Sequence, residues 1–303
     1  MSDRPPGPDG LVVVDKPAGW TSHDVVAKAR GLLGTRKVGH AGTLDPDATG
    51  VLLLGIGRAT RLLRYLSPLG KSYVGDVVLG VETTTLDDSG EVTARFDMAH
   101  VALAEVQQVA AERFTGPIEQ VPPMVSAVKV GGQRLHKLAR AGVTVDRDPR
   151  PVTISALTLE AVAGAAAVFR MSVDCSSGTY VRSLAADLGT ALGGGAHLRN
   201  LRRTAVGPFT LHDAVALDGL GPEAVRPMTD AVRHLASVTA GQQLASAVAV
   251  GKVLERDDLI GAGDSSAEDE GPWAVLSESG ALLAVYEPHR GSTVKPAVVL
   301  ALN

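Results

Sequence analysis

Cysteine is almost missing from this chain of 303 residues, which has one, Cys175. A single thiol excludes an intrachain disulfide framework and any cysteine-rich metal site, and its ordinary role is that of a small buried apolar residue. Aromatic residues are also scarce: two Trp, four Tyr and four Phe. Long apolar runs are lacking, and the longest, Val51 to Ile56, is too short to span a bilayer. The polar, proline-rich stretch Met1–Gly10 has no apolar core of the kind a secretory signal needs. Both absences predict a cytoplasmic protein with no membrane contact. There is no Gly-x-x-x-x-Gly-Lys-Ser/Thr loop, no Gly-x-Gly-x-x-Gly opening a helix, no His/Asp cluster at metal-ligand spacing and no internal repeat. No cofactor and no metal are therefore expected.

What is present is ordinary in bulk and uneven in charge. Apolar residues make up 45% and charged residues 20%, as in a typical soluble domain. A formal net charge of −4 argues mildly against a polyanionic partner. The acidity is concentrated late, however: from Asp213 onward there are 13 acidic and 6 basic residues, against 20 and 23 before it. Arginine outnumbers lysine 21 to 8, which suits bidentate phosphate contacts, though GC-rich coding produces the same ratio.

The densest chemistry lies in Gly39-His-Ala-Gly-Thr-Leu-Asp-Pro-Asp-Ala-Thr-Gly50, followed by Val51-Leu-Leu-Leu54. Glycines at both ends allow sharp turns and close approach to a ligand. Pro46 keeps Asp45 out of helical geometry, and the apolar run reads as a buried strand beneath the loop. Spacing alone favours a structural turn. Upstream, Leu11–Val14 is a short strand leading to Asp15-Lys16-Pro17, and a helix starts at Ser22 or His23. Downstream, Arg58–Leu66 has helical spacing with Arg58, Arg61 and Arg64 on one face, either solvated or touching phosphate. Lys71–Gly80 alternates like a half-buried strand carrying Tyr73, Thr85–Glu91 reads as a turn, and Leu103–Phe114 as an amphipathic helix.

The segment 120–151 is turn-rich and basic, with Lys129, Arg134, Lys137, Arg140, Arg147 and Arg150, as a mobile flap over a polyanion would be. Two strands follow, 152–162 and 168–173, and then Ser176-Ser-Gly-Thr179 as caps for a helix marked by Leu184, Leu188 and Leu192. Arg182 falls in that helix's first turn, where the dipole disfavours it, so a partner carboxylate is expected. His197–Thr204 reads as a basic edge strand with Arg202-Arg203 free to meet phosphate. Short strands near 274–276, 282–286 and 298–300 predict a small β-domain after the acidic loop 262–271.

Four of these stretches, in order over residues 11 to 210, resemble the motifs of the bacterial tRNA pseudouridine-55 synthase family: Asp-Lys-Pro at 15–17, Gly-Thr-Leu-Asp-Pro at 42–46 with its preceding His40, Lys-x-Tyr at 71–73, and Gly-Thr-Tyr-x-Arg at 178–182 completed by Leu201. The resemblance implies an α+β fold, a mixed and mainly antiparallel central sheet flanked by helices. Residues 1–230 would be catalytic, with a thumb-like insertion at about 120–151, and 231–303 a small PUA-like β-domain. It implies a cofactor-free isomerisation of U55 in the tRNA T-loop to pseudouridine by base flipping, with Asp45 catalytic. His40 would fill the vacated stack, Tyr73 stack on the uracil, Arg182 pair with Asp45, and Tyr180 and Leu201 line the pocket. Lys16, Gly42 and Thr43 would support the loop. The implied partner is tRNA, through its T-arm and loop, with a monomer and no obligate protein partner. Family members often carry tyrosine where this chain has Val125 and His136. Two other classes compete: a non-catalytic tRNA-binding or folding module, and a glycoside hydrolase pairing Asp45 with Asp47, which lacks a second acidic signature.

Overall fold

A computed structural model describes residues 7–126, 129–130, 132–135, 138, 142–143, 145–261 and 270–300. Apolar β-branched and leucine-rich segments build one large sheet. In chain order its strands are β1 (Gly10–Lys16), β2 (Val38–Ala41), β3 (Thr49–Ile56), β4 (Lys71–Leu79), β7 (Gly116–Gln120), β10 (Arg150–Ala161), β11 (Val168–Cys175), β12 (Ala196–Val206), β13 (Phe209–Thr210) and β14 (Val215–Ala216). The order across the sheet is β14-β1-β3-β12-β4-β11-β10-β7, with β2 added to β3 and β13 to β12. Only β1–β14 and β3–β12 are parallel, so the sheet is mixed and mainly antiparallel as expected. Small ribbons β5–β6 (Val81–Thr83, Val92–Arg95) and β8–β9 (Lys129–Val130, Gln133–Arg134) stand apart from it.

Helices cover the sheet where their apolar faces match it. Helix α1 (Ser22–Leu32) begins with a capping box between Thr21 and Asp24 and buries Val25, Val26 and Ala29. Helices α3 (Leu103–Arg113) and α4 (Val181–Ala191) pack with Tyr73, Val77 and Phe169 in one core cluster. A second sheet, in the order β15 (Ala236–Ala240), β17 (Trp273–Ser277), β18 (Leu282–Pro288), β19 (Thr293–Val299), β16 (Leu254–Glu255), forms the C-terminal unit.

Three expectations are corrected. Segment 197–204 is not an edge strand: β12 lies between β3 and β4, because its polar residues are spent on internal ion pairs and carbonyls. Helix α4 takes no side-chain cap from Ser176–Thr179. Thr179 instead donates to Ser176 O, and Tyr180 stands at the N-cap. The stripe Arg58–Arg64 begins as a 3-10 turn (Gly57–Leu62) before α2 (Leu63–Leu66), and its arginines, although Arg61 and Arg64 stay exposed, are engaged by protein acceptors. Arg58 and Arg61 donate to the carbonyls of Leu300 and Val299, and Arg64 pairs with Glu287. The acidic stretch 262–269 and the side chains of Lys129, Arg134, His136, Lys137 and Arg140 lie outside the described residues.

Candidate active site

The loop between β2 and β3 is clamped from three directions, each by a buried donor. Lys16 Nζ donates to the carbonyls of Pro17 (2.9 Å), Trp20 (2.6 Å) and Pro46 (2.8 Å), the last directly after Asp45. Ser22 exchanges both its hydrogen-bonding roles with the backbone of Leu44. Arg203, fully buried, reaches Val51 O (2.7 Å), Gly42 O (3.1 Å) and Thr43 O (3.4 Å). Gly42 has φ +82°, and a Cβ there would come within 3.3 Å of Lys71 Cε. Burial lowers Lys16 to about 8, opposed by Asp47 and Asp45. The loop backbone is thus fixed by fully used donors, which is what precise presentation of one side chain requires.

That side chain is Asp45. Its Oδ2 lies 2.9 Å from Arg182 Nε, the partner carboxylate anticipated for an arginine in the first turn of α4. Arg182 is itself buried and donates to Thr85 O (2.7 Å) and Val125 O (2.9 Å), with Asp87 at 3.5 Å. The Asp45 side chain remains 42% exposed, so it opens onto free space while its back is enclosed. Burial raises its pKa above the usual carboxylate value; Arg182 opposes the rise and Asp87 adds to it.

Two cavities meet at Asp45, Arg182 and Leu201. The larger, about 290 Å³, is lined also by Thr43, Lys71, Tyr73, Tyr180 and Arg203. The smaller, about 170 Å³, is lined by Asp47, Asp87, Val125 and Asn200 among others. Tyr73 comes from β4, is buried and is hydrogen-bonded to Arg203; burial raises its pKa and Arg203 opposes that. Tyr180 is held through its backbone by Gln120, which accepts its N–H (2.9 Å) and donates to its carbonyl (3.3 Å). Burial pushes Lys71, which bonds Ser67 O and Leu69 O, down to about 8.

His40 lines neither cavity. It sits on β2, edge-on to His23 with ring centroids 5.4 Å apart, and its Nδ1 has no hydrogen-bond partner among the described residues. Burial lowers its pKa, helped by His23 and Arg203, which keeps the ring neutral at pH 7. Lys16 reaches the loop, and Gly42 and Thr43 are part of it. The sequence missed Asp87, Gln120 and Ser22, and misassigned Arg203. Asp87 looked like a turn residue, and Gln120 carries no local signal. Arg202 does not stand free either: it forks onto Asp15 (2.7 and 3.1 Å).

Residues 30–181 match the family described as TruB family pseudouridylate synthase (N terminal domain), and 182–235 match the tRNA pseudouridylate synthase B C-terminal domain. A tRNA pseudouridine synthase B from Thermobifida fusca is 47% identical over 97% of this chain and 99% of its own length. The protein of that name from Nocardia farcinica is 53% identical over 74% of each chain. Among solved structures, one described as a Cbf5-Nop10-Gar1 complex superposes with a TM-score of 0.72 at 29% identity, covering 97% of this chain and 84% of that one. Another, an H/ACA RNP bound to a substrate RNA containing 2'-deoxyuridine, gives 0.71 at 26%, covering 97% and 85%. The mixed sheet with its loop-borne aspartate is the fold of a pseudouridine synthase, an isomerase. The chain belongs to the TruB family of pseudouridylate synthases.

Proposed function

We propose that this protein isomerises one uridine in the T-loop of tRNA, U55, to pseudouridine, by flipping the base and using Asp45 without a cofactor. The observation that carries the reading is the 2.9 Å contact between Asp45 and Arg182 where the two cavities join. The relatives' shared name, tRNA pseudouridine synthase B, supports the substrate. The reaction breaks the N-glycosidic bond, turns the detached uracil and joins its C5 to the sugar carbon, so it needs no redox partner and no energy source.

Each step has a residue suited to it. Extracting a stacked base costs a few kcal/mol, and the flat, uncharged His40 ring is suited to the vacated space. Tyr73 stacks on the loose uracil, worth about 1–3 kcal/mol, and a position next to the ring suits it for proton removal at C5. Asp45, ionised, acts as nucleophile or base; Arg182 opposes the burial that would neutralise it. Leu201 and the basic insertion at about 120–151 keep water from the cleaved sugar. The unit at 231–303, PUA-like in this reading, docks against residues 1–230, and the protein works in the cytoplasm as a monomer. Among the described residues no helix is long and apolar enough to cross a membrane.

Asp45→Asn tests the reading. It is expected to bind unmodified tRNA as wild type does and to release no tritium from C5-labelled uridine. Turnover in that variant would refute the role of Asp45, and a wild type inactive on unmodified tRNA would refute the substrate.

A further inference from the structure

Midway along strand β12 there is one residue more than β4 presents opposite it, and that extra residue decides which side chains enter the site. Arg199 lies opposite Asp76 on β4 and Arg202 opposite Val74, so three steps on β12 match two on β4. Side chains alternate between faces along a strand, and Leu198 points inward into the core. Unbroken alternation from Leu198 would send residues 200 and 202 inward and turn Leu201 and Arg203 outward. The opposite is found. Leu201 and Arg203 line the larger cavity, while Arg202 turns to Asp15 on the other face. A bulge at Asn200 reverses the parity, and a second irregularity between Arg203 and Ala205 ends the reversed stretch.

Two features hold this bulge. Asn200 has φ +55°, a conformation that asparagine tolerates and β-branched residues resist. Its Nδ2 donates to Asp76 Oδ2 at 2.8 Å. Asp76 is 3% exposed and is also bonded by Arg170 Nε from β11, so the carboxylate is gripped from both neighbouring strands. Gly75 leaves the room beneath: a Cβ there would lie 3.1 Å from Leu198 Cδ1 and 3.4 Å from Arg199 O.

We propose that Asn200 and Asp76 are positioning residues of the reaction: the left-handed turn at Asn200, tied to the Asp76 carboxylate, sets the face on which Leu201 and Arg203 stand. The inference rests on the proposed isomerisation and deepens it. Neither residue touches the reacting atoms in this account. They act by placing the apolar wall and the guanidinium that holds Tyr73 and the Gly42–Thr43 backbone.

The test measures pseudouridine formation on unmodified tRNA with Asn200→Val and Asn200→Gly. Valine resists the left-handed backbone and glycine accepts it, although glycine loses the bond to Asp76. For Asn200→Val, kcat is expected to fall about tenfold or more, KM to stay within about twofold, and Asn200→Gly to recover part of the rate, the remainder lying in the lost bond to Asp76. If Asn200→Val does not fold, judged by its thermal transition, Asn200→Ala, which strains the left-handed backbone less than valine but more than glycine, takes its place. An Asn200→Val enzyme with the wild-type rate overturns the proposal, as does an Asn200→Gly enzyme no faster than Asn200→Val. A wild type that forms no pseudouridine refutes the proposed function; an active wild type with an unimpaired valine variant refutes this inference alone.

Discussion

Arg182 places its donors on four acceptors: Asp45, Thr85 O, Val125 O and, more distantly, Asp87. A lysine at this position offers a point charge with no planar fork. Arg182→Lys is therefore expected to lower kcat on the order of 100-fold, read in single-turnover assays. The pH profile follows from the same pair. In the proposed reaction Asp45 acts ionised, and its pKa is raised by burial, so the rate is expected to fall as pH drops through a value above the usual carboxylate range. Removing the cation that opposes the rise moves that acid limb to higher pH; in Arg182→Gln, residual activity plotted against pH checks it. An acid limb unchanged from wild type would mean that Arg182 does not tune Asp45. Arg182 also holds a second carboxylate, Asp87, while Asp47, the one a glycosidase reading selects, lines the same smaller cavity.

At the scale of elements, the loop 42–48 is rigid because strands meet beneath it with no spare volume. Gly50 has φ +103°, and a Cβ added there would sit 2.1 Å from Arg203 O, where β3 and β12 run parallel. Gly50→Ala is expected to cost about 3 kcal/mol or more in denaturant unfolding, from overlap and backbone strain together. A loss under 1 kcal/mol, within the range of ordinary surface changes, would show that the two strands can separate freely. Most elements were legible here: α1, β4, α3 and the β10–β11 pair stand where periodicity placed them. Strand β12 was legible as a strand but not in its central place, since its charges look solvated until Asp15, Asp76 and the carbonyls of Gly42, Thr43 and Val51 are brought to it from distant segments.

Across the whole molecule, the arginine stripe and Tyr65 dock the C-terminal unit. Tyr65 donates to Glu287 (2.9 Å), and His234 contacts Tyr65 O. One apolar cluster runs from Leu62, Tyr65 and Leu66 to Ala274, Leu282, Val285 and Val298. Truncation after residue 235 is expected to leave an aggregating remainder, because that cluster would be opened to water; size-exclusion chromatography reads it. Tyr65→Phe is a milder break, expected to cost about 1 kcal/mol of stability while kcat stays at the wild-type value. For a tRNA substrate held partly by arginine–phosphate contacts, KM should rise steeply with salt while kcat changes little.

The sequence by itself determined the chemistry on offer: a proline-stiffened aspartate between glycines, an arginine in the first turn of a helix, a tyrosine on a strand, and the strands and helices that carry them. Local patterns suffice for these because turn geometry, helix period and strand alternation are written in neighbouring residues. The tertiary structure decided which charges meet. Arg203 became a buried clamp, Asp87 a second partner for Arg182, and the arginine stripe a docking surface. Burial, long-range ion pairing and extra residues in a strand depend on segments far apart in the chain, and no local pattern encodes them.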